Sequence, residues 1–465
     1  MPPPLNAKKG LSPPSILGNL SALMQRVNLG IIGGGTVGSG VFQAVQRNGA
    51  LMASRLAVQF QVIKMAVRDV NKPRAVKIPF SVLTEDWASV IHHPSVDVVV
   101  ELMGGTTTAR SVVLSALKLG KPVVTANKAL LSAHGEELFA EAQKSGANLY
   151  YEASVAGGIP IIKVLREGLI GNRITRLYGI LNGTCNYILT RMKLEGAGFD
   201  EMLAEAQRLG YAEAEPSLDV DGHDAAHKAG ILASLAHGFW VNPNEIFVEG
   251  IRAITKLDIQ FAGKLGYTVK LLAVVKQSEP ASKRTASCGT PIQVAVYPTL
   301  IPNSHVLANV NHVFNAIYVR GDIVGDTLYY GRGAGQDAAA SAVLSDLADV
   351  ALDFKCGAKS RIPPFVPHEL KGAVLSIDQV VCRYYVRLSV VDRPGTLARI
   401  AAILARAKIG ISSVIQPEGH EGESVPLILM IHDATNAAIR KALGQISKLD
   451  VVRALPLMIR VENFD

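Results

Sequence analysis

Short apolar runs alternate with helix-like segments along the first third of the chain. Strands are predicted at 27–32, 58–67, 96–102, 123–125 and 148–152. Helices are predicted between some of them, at 39–47, 109–119 and 135–145. Strands that alternate with helices usually form a parallel sheet, because each crossover returns the chain to the same edge. The pattern over 27–152 therefore predicts an α/β, doubly wound domain with its ligands at the carboxyl ends of the strands.

The pattern changes after residue 153. Apolar runs at 176–181, 269–276, 292–297, 316–320 and 327–330 predict strands of a largely antiparallel sheet, interleaved with helices. We interpret 153–354 as an α+β layer that binds the substrate and forms the dimer. Its last helix, 336–352, follows a glycine-rich turn and is expected to pack back on the first domain.

The two ends of the chain have their own patterns. Three prolines mark 355–382 as a linker, and 383–465 shows the order strand, helix, strand, strand, helix, strand, which is the ferredoxin-like plan. Residues 1–26 lack acids and are rich in Pro, Ser and Leu, so they fit a flexible extension, which we prefer, or an organelle-targeting segment. They are too few for a fused kinase domain, and none is expected.

Composition limits the partners of the chain. Its formal net charge is +8, charged residues make up 18%, and no basic stretch is interleaved with aromatic residues, so neither nucleic acid nor a membrane is expected as a partner. A small positive excess favours anionic ligands such as dinucleotides. The four cysteines, Cys185, Cys288, Cys356 and Cys382, are far apart, which suits reduced thiols in the cytoplasm and no Cys-based metal site.

A glycine-rich turn joins the first strand to the first helix. Gly33, Gly35 and Gly38 form the pattern G-x-G-x-x-G between a strand and a helix, as dinucleotide binding requires. Gly33 permits the tight turn, Gly35 lets the backbone approach a pyrophosphate, and Gly38 lets the helix approach the strand. At the end of the second strand, Arg68 suits a 2′-phosphate, whereas Asp69 suits a 2′-hydroxyl. NADP and NAD both remain open.

Carboxylates and a lysine are concentrated in the segment 210–228. Asp224 is predicted as the N-cap of an apolar helix and stands four residues before Lys228, so the acid and the amine share one face. Such a pair is often an exposed surface ion pair. Here the helix continues with little charge on any face, so Lys228 is expected to be buried and functional. His223 and His227 are interpreted as solvated or capping groups and not as metal ligands.

Two further side chains have alternative interpretations. Lys128 follows the strand 123–125, at the edge of the sheet where the ligand crevice opens, and is expected to act in the site and not to lie in solvent. Cys185 has no paired histidine or other base among its neighbours, so it is expected to be a small packed residue and not a thiol nucleophile.

These motifs together resemble the homoserine dehydrogenase family in its longer form, with a C-terminal ACT domain. The resemblance covers about 27–461 and depends on the segments 33–38, 125–128, 152–160, 181–187, 210–228 and 392–395. The glycine turn is generic, whereas 210–228 and the Asn-Gly-Thr-Cys-Asn-Tyr run are specific to that family. The resemblance implies a Rossmann-type nucleotide domain, an α+β substrate and dimerisation domain, and a ferredoxin-like ACT domain.

The resemblance also implies a reaction, the NAD(P)H-dependent and reversible reduction of L-aspartate 4-semialdehyde to L-homoserine, on the way to threonine, methionine and isoleucine. Lys228 would donate the proton, with Lys128 as a second lysine of the site. A lysine ammonium supplies both the field and the proton that the carbonyl oxygen needs as hydride arrives. Glu213, Asp219 and Asp224 would hold the substrate, because an ammonium group needs carboxylates.

Ligand contacts follow from the same resemblance. The expected cofactor contacts are Gly33, Gly35, Thr36, Val37, Gly38, Arg68, Thr106, Lys128, Gly210 and Gly335. The residues implied for a structural sodium ion, held mainly through backbone carbonyls, are Glu152, Val155, Gly157 and Ile159. In the ACT domain, Asp392 and Gly395 would bind an amino-acid effector such as threonine; an oligomerisation module without a ligand is the other interpretation. A homodimer or homotetramer is expected.

Two other functions compete with this one. A phosphorylating dehydrogenase that acts on the same aldehyde through a thioester would need Cys185 as its nucleophile. An amino-acid-sensing protein that has lost catalysis would not need the full set of site residues, which the chain retains: Lys128, Glu213, Asp219, Asp224 and Lys228.

Overall fold

The computed structural model describes residues 24–278, 290–358, 360–418, 420 and 422–464. Most of the predicted N-terminal extension and Cys288 therefore lie outside the described residues, and residues 25 and 26 already belong to the first strand. In the described part of the chain, no helix is both long and apolar enough to cross a membrane.

The first sheet has six strands, all parallel. They are β1 (Gln25–Ile32), β2 (Val58–Ala66), β3 (Leu83–Thr84), β4 (Val98–Glu101), β5 (Val123–Thr125) and β6 (Leu149–Tyr150). The helices between them are α1 (Thr36–Leu56), α2 (Trp87–Ile91), α3 (Thr107–Lys118) and α4 (Lys128–Ser145). The strand order β3-β2-β1-β4-β5-β6 reverses between β1 and β4, so the predicted doubly wound domain is confirmed.

The second sheet begins with antiparallel strands. They are β7 (Ile174–Ile180), β9 (Tyr267–Gln277), β10 (Ile292–Pro302), β11 (Phe314–Gly321) and β12 (Gly325–Arg332), with the short β8 (Phe247–Val248) parallel to β10. The helices of this region are α5 (Ile161–Lys163), α6 (Gly183–Glu195), α7 (Phe199–Arg208), α8 (Ser217–Val220), α9 (His223–His237), α10 (Lys256–Lys264) and α11 (Gln336–Lys355). Helix α11 packs along α1 and so joins the second region to the first.

Single turns of 3-10 or π helix connect several of these elements. The 3-10 turns are Phe80–Val82, Glu152–Ser154, Pro243–Glu245, Val306–Asn309 and Ile377–Gln379, and the π turn is Val164–Gly168. The segment between α11 and the last domain, predicted as a linker, packs against both earlier domains. Phe365 contacts the rings of Phe139 and Trp240, and the carbonyl of Pro364 accepts a hydrogen bond from Tyr151.

The last domain has the predicted ferredoxin-like plan. Its elements are β13 (Val381–Val391), α12 (Thr396–Arg406), β14 (Ile411–Ile415), β15 (Ser424–Thr435), α13 (Asn436–Ile446) and β16 (Leu457–Val461), and its strand order is β16-β13-β15-β14. Strand β16 also pairs in parallel with β10, at Thr299 with Arg460 and at Leu300 with Val461. The second and third domains therefore share one ten-stranded sheet.

Candidate active site

Two lysines share one carboxylate at the start of α9. Lys228 Nζ lies 2.7 Å from Asp224 Oδ2 and donates a second hydrogen bond, of 2.8 Å, to the carbonyl of Leu181. Lys128 is the first residue of α4, in the first domain, and its Nζ lies 3.1 Å from Asp224 Oδ1. Asp224 therefore joins ammonium groups from two domains. The predicted shared face of Asp224 and Lys228 is observed.

The predicted N-cap at Asp224 is wrong. The helix begins at His223, and its N-cap is Gly222, whose φ of 90° lies in the left-handed region that favours glycine. A Cβ at Gly222 would also come within 3.0 Å of Val248. Because the chain turns into the helix at Gly222, Asp224 lies in the first turn, and its carboxylate binds the lysines instead of capping the backbone.

Burial and charge act in opposite directions on Asp224. Both Asp224 and Lys228 are buried. Burial alone would raise the pKa of the Asp224 carboxyl, but the charges of Lys228 and Lys128 outweigh it and hold that pKa well below its usual range. The carboxylate stays ionised, so the two ammonium groups stay oriented around it.

Asp219 is brought into the same cluster by Asn182. The Asn182 side-chain nitrogen donates to Asp219 Oδ1 at 2.7 Å and to Asp224 Oδ2 at 2.9 Å. Burial raises the pKa of Asp219, the hydrogen bond from Asn182 lowers it, and the charge of Asp224 raises it again. Asn182 had no predicted role of its own, although an asparagine directly before a helix start signals an N-cap. It caps α6 by accepting a hydrogen bond from the backbone N–H of Cys185 at 2.8 Å.

The structure does not bring Glu213 into this cluster. Its side chain is exposed and forms no hydrogen bond or ion pair with any described residue, while its carbonyl accepts a bond from Gln207 at 3.0 Å. Gly210, with a φ of 76°, starts the turn after α7 that holds the Glu213 backbone against that helix.

Cys185 and the neighbouring histidines lie beside the cluster. Cys185 is fully buried and its Sγ donates to the carbonyl of Asp219 at 3.1 Å; burial raises the pKa of this thiol well above its usual value. Burial lowers the pKa of His227, which therefore favours a neutral ring. Among the described residues, no group of three or more His, Cys, Asp or Glu side chains is arranged to hold a metal ion.

A cavity of about 560 Å³ opens beside the glycine turn. Four of the predicted cofactor contacts line it: Gly33, Gly35, Thr36 and Arg68. The other predicted contacts lie outside its lining: Val37, Gly38, Thr106, Lys128, Gly210 and Gly335. Gly38 affects the cavity indirectly, through the glycine turn, because a Cβ at this position would lie 1.8 Å from the carbonyl oxygen of Gly33. The turn therefore needs glycine at position 38 in order to keep its shape.

Two cations without a predicted role extend the positive charge of the cavity lining. Lys72 and Arg74 line it together with Arg68. Arg74 donates to the backbone carbonyls of Asp69 and Lys72, at 2.6 and 2.9 Å, and so holds the turn after β2. The Asp69 carboxylate accepts a 2.8 Å bond from the backbone N–H of Asn71, and so faces its own turn. The signal in the sequence was the basic run that directly follows the second strand.

Glu101 holds the loops at the carboxyl ends of β4 and β5. It is fully buried, and its carboxylate accepts bonds from the Thr125 hydroxyl at 2.7 Å and from the backbone N–H of Met103 at 2.9 Å. Burial raises its pKa. Asn127 donates to the carbonyl of Gly105 at 2.7 Å and is the N-cap of α4, whose first residue is Lys128. In the sequence, an acid at the end of an apolar strand signals a role for Glu101, but the partners of its carboxylate are set by tertiary structure.

The loop after β6 contains the residues implied for sodium. Ala156 has a φ of 49°, and the N–H groups of Gly157 and Gly158 donate to the segment that leads into α11. No donor among the described residues reaches the carbonyls of Val155 and Gly157. The Glu152 carboxylate points elsewhere, since it accepts bonds from two N–H groups at 162 and 163.

The residues expected to bind an effector lie at the start of α12. Gly395 is its N-cap, with a φ of 88°. Asp392 accepts a side-chain bond from Gln416 at 2.9 Å. The first N–H group of this helix, at Thr396, donates to the carbonyl of Arg393 at 3.3 Å.

Three family models match the chain. Residues 33–152 match "Homoserine dehydrogenase, NAD binding domain", residues 160–348 match "Homoserine dehydrogenase", and residues 384–450 match "ACT domain". The chain is 43% identical over 446 residues to a homoserine dehydrogenase of Pseudomonas aeruginosa. The alignment covers 95% of this chain and 100% of the relative.

Solved structures show the same likeness. A homoserine dehydrogenase from Thiobacillus denitrificans is 42% identical and superposes with a TM-score of 0.87, over 95% of this chain and 99% of its own. A hyperthermophilic archaeal homoserine dehydrogenase in complex with NADPH is 27% identical, with a TM-score of 0.59, over 71% of this chain and 99% of its own.

Proposed function

The chain belongs to the homoserine dehydrogenase family, which are NAD(P)-dependent oxidoreductases acting on a CH–OH group, and we propose that it interconverts L-homoserine and L-aspartate 4-semialdehyde at the start of α9. The observation that carries the proposal is the sharing of Asp224 by Lys128 and Lys228. One lysine follows a strand of the nucleotide-binding sheet and the other belongs to the second domain, which supports a reaction at the junction of the two.

Lys228 is the proposed acid and base. When bound, the reduced nicotinamide supplies a hydride to the aldehyde carbon. The carbonyl oxygen then gains negative charge, and the Lys228 ammonium stabilises that charge and gives up its proton. In the reverse direction, the neutral amine accepts the proton of the hydroxyl group. Asp224 keeps the lysine in place, and Lys128 offers a second positive charge to the substrate carboxylate.

We propose NADP(H) as the preferred cofactor. The cavity lining carries three cations, Arg68, Lys72 and Arg74, and two carboxylates, Asp69 and Glu85, which accept bonds from the backbone N–H groups of Asn71 and Val70. This arrangement favours a 2′-phosphate over a 2′-hydroxyl. The archaeal relative in complex with NADPH agrees with it. Initial rates with both cofactors test the preference, and a higher kcat/KM with NAD(H) would contradict it.

We propose further ligands and contacts. The carbonyls of Val155 and Gly157 lack donors in the described structure, and those of Glu152 and Ile159 each accept one backbone N–H, so that each of the four keeps a lone pair for a structural sodium ion. Replacing Na⁺ by choline should then lower the unfolding midpoint. Threonine at the start of α12 is the proposed feedback effector, in a cytoplasmic pathway to threonine, methionine and isoleucine.

The edge strand β12, with its exposed Tyr330, supports a homodimer, or a homotetramer built from it.

Replacement of Lys228 tests the proposed reaction. Lys228→Ala should lower kcat by a factor of about 10²–10⁴, because the site loses its proton donor. The dissociation constant of NADPH, measured by its fluorescence, should stay within about threefold. Ser234→Ala is the matched control: this residue is buried in the same helix and its hydroxyl bonds to Gly230 and Val241, away from the charged cluster, so stability should fall and kcat should not.

A kcat near that of the unchanged protein in Lys228→Ala would contradict the proposal. Cys185→Ser separates the competing thioester chemistry, since a thiol nucleophile cannot be replaced by a hydroxyl without a large loss of rate. We expect near-full activity from this variant, because Cys185 is buried and bonded to a backbone carbonyl.

A further inference from the structure

Two consecutive residues at the junction of β7 and α6 organise the charged cluster. The carbonyl of Leu181 accepts a hydrogen bond from Lys228, and the side chain of Asn182 donates to Asp219 and Asp224. Asn182 is itself buried, and its amide oxygen is held by the N–H of Cys185. The orientation of the amide is therefore fixed at both ends.

We propose that Asn182 is a positioning residue that holds Asp219 beside Asp224 as a separate carboxylate, so that Asp219 receives the ammonium group of the amino-acid substrate. The proposal rests on the proposed function. The division of labour follows from the contacts. Asp224 already serves both lysines, whereas Asp219 forms no ion pair in the described structure and is hydrogen-bonded only by the neutral side chains of Asn182 and Thr184.

A neutral amide is the side chain that suits this task. Its two N–H hydrogens supply one donor to each carboxylate, so they hold two like charges together without neutralising either. A lysine or arginine at position 182 would form an ion pair with Asp219 and compete with the substrate ammonium. An aspartate there would add a third negative charge to the cluster.

The surrounding charges make the effect of Asn182 depend on pH. Asp219 is faced by Asp224 and Lys228 from α9 and by Thr184 and Cys185 from α6. Asp221, two positions further along the chain, is paired with Arg252. Burial and the charge of Asp224 raise the pKa of Asp219, and the Asn182 hydrogen bond lowers it. Loss of that bond moves the pKa upward, so Asp219 becomes neutral at a higher pH.

Asn182→Ser in the full chain tests the proposal. Serine still caps α6 at the N–H of Cys185, but its one hydroxyl cannot bridge both carboxylates. We expect the KM for L-homoserine to rise about tenfold, as for the loss of a hydrogen bond to a charged group. The KM for NADP should stay unchanged and kcat should change less than about threefold. The acidic limb of kcat/KM for homoserine should move to higher pH.

Asn186→Ser is the matched control. This residue is buried in the same helix, where it bonds to Lys270 and to the carbonyl of Phe314, away from the carboxylates. A merely structural loss would affect both variants alike, so the control should lose stability and keep the KM for homoserine and the position of the acidic limb. Equal KM changes in the two variants would overturn the proposal.

A double-mutant cycle with Asp219→Asn shows whether Asn182 acts through Asp219. If it does, Asn182→Ser should have no further effect on the KM for homoserine in the Asp219→Asn background, and additive effects would overturn the proposal. Asn182→Gly replaces the serine variant if that variant does not fold, since glycine is tolerated at an N-cap. Unchanged KM in Asn182→Ser with a kcat collapse in Lys228→Ala refutes this proposal alone; normal turnover in Lys228→Ala refutes the proposed function.

Discussion

A second buried lysine shows how differently this fold treats one residue type. Lys270 is as buried as Lys228, but its ammonium group bonds to the side-chain oxygens of Asn186 and Asn311 and to the carbonyl of Val310, with no carboxylate partner in the described structure. Burial and the charge of Lys193 lower its pKa to about 7. A charge without a counterion therefore makes the fold sensitive to pH at this position.

Stability should rise with pH because of Lys270. Its pKa of about 7 in the folded protein lies below the ordinary lysine value of 10.5, so unfolding takes up a proton between these pH values. The free energy of unfolding should increase by up to about 1.4 kcal/mol per pH unit above pH 7 from this group alone. Urea unfolding of the unchanged protein and of Lys270→Met at pH 7, 8 and 9 measures the difference. A constant difference would contradict the lowered pKa.

The residue types of the active site were predictable, but their partners were not. Local spacing on one helix was enough to pair Asp224 with Lys228. Asn182 and Asp219 are 37 positions apart, and nothing in the local pattern brings an amide to that carboxylate. Glu213 shows the converse case, because it stands in the right motif but its side chain faces solvent. Side-chain direction depends on backbone turns such as that at Gly222, which the hydrophobic pattern does not encode.

Helix α1 connects the glycine turn with the rest of the molecule. It begins directly at the turn and continues to Leu56, well beyond the predicted end at 47. The sequence favoured a stop because Asn48 and Gly49 are weak helix formers. The helix continues because α11, about 300 residues later, packs along it, and because Gln336 fits against Gly40. Such tertiary support overrides local propensity and is invisible in the segment itself.

Two glycines of α1 should respond in opposite ways to alanine. A Cβ at Gly38 would lie 1.8 Å from the carbonyl oxygen of Gly33, so Gly38→Ala must open the turn. We expect its dissociation constant for NADPH to rise at least about tenfold, because the backbone no longer fits the pyrophosphate. Gly49 has no atom within 4 Å of a Cβ, so Gly49→Ala should raise stability by about 0.5–1 kcal/mol and leave NADPH affinity unchanged.

Fluorescence titration of NADPH with both variants measures the effect on affinity, and urea unfolding measures the effect on stability. Equal NADPH affinity in Gly38→Ala and Gly49→Ala would show that the glycine turn does not bind the cofactor.

The molecule is held together by buried contacts between its last two domains. Asp258, fully buried in α10, accepts bonds from Tyr385 at 3.0 Å and from Arg387 at 2.7 Å, both on β13. Arg460, on β16, bonds to Glu249 at 2.8 Å and lies over the rings of Phe247 and Tyr297. The ACT domain is therefore built into the second domain, and these charges can stay buried only while both domains are present.

Removal of one interdomain cation should cost much more than removal of a surface cation. Arg387→Ala leaves Asp258 buried without its cation and should lower the free energy of unfolding by about 3 kcal/mol. Arg393→Ala, in the same domain, breaks an exposed pair with Asp450 and should cost less than about 1 kcal/mol. Urea midpoints of the two variants provide the comparison. Equal midpoints would show that the Asp258 contact does not hold the domains together.

The order of the three folding units could be predicted from the sequence, because the change from alternating helices to paired strands is local. The joining of the second and third units into one sheet could not be predicted. The pairing of β10 with β16 joins residues about 160 positions apart and covers only two residue pairs. The packing of the tail beyond β16 is equally unexpected, since Phe464 stacks on His305 and contacts the ring of Tyr178 edge to face. No periodicity within a strand specifies which distant edge it will join.

The shared sheet has a consequence for how the proposed feedback control can be lost. A stop codon or a proteolytic cut before β13 would remove Arg387 and Arg460 and so the cations that bond to the second domain. It would also expose the part of β10 that pairs with β16, and remove the contact of Phe464 with Tyr178. A shortened polypeptide of this kind is expected to aggregate before it can act as an unregulated catalyst. The proposed effector site therefore predicts that strains selected for overproduction of the end product carry missense changes around Asp392, whereas nonsense alleles behave as auxotrophs.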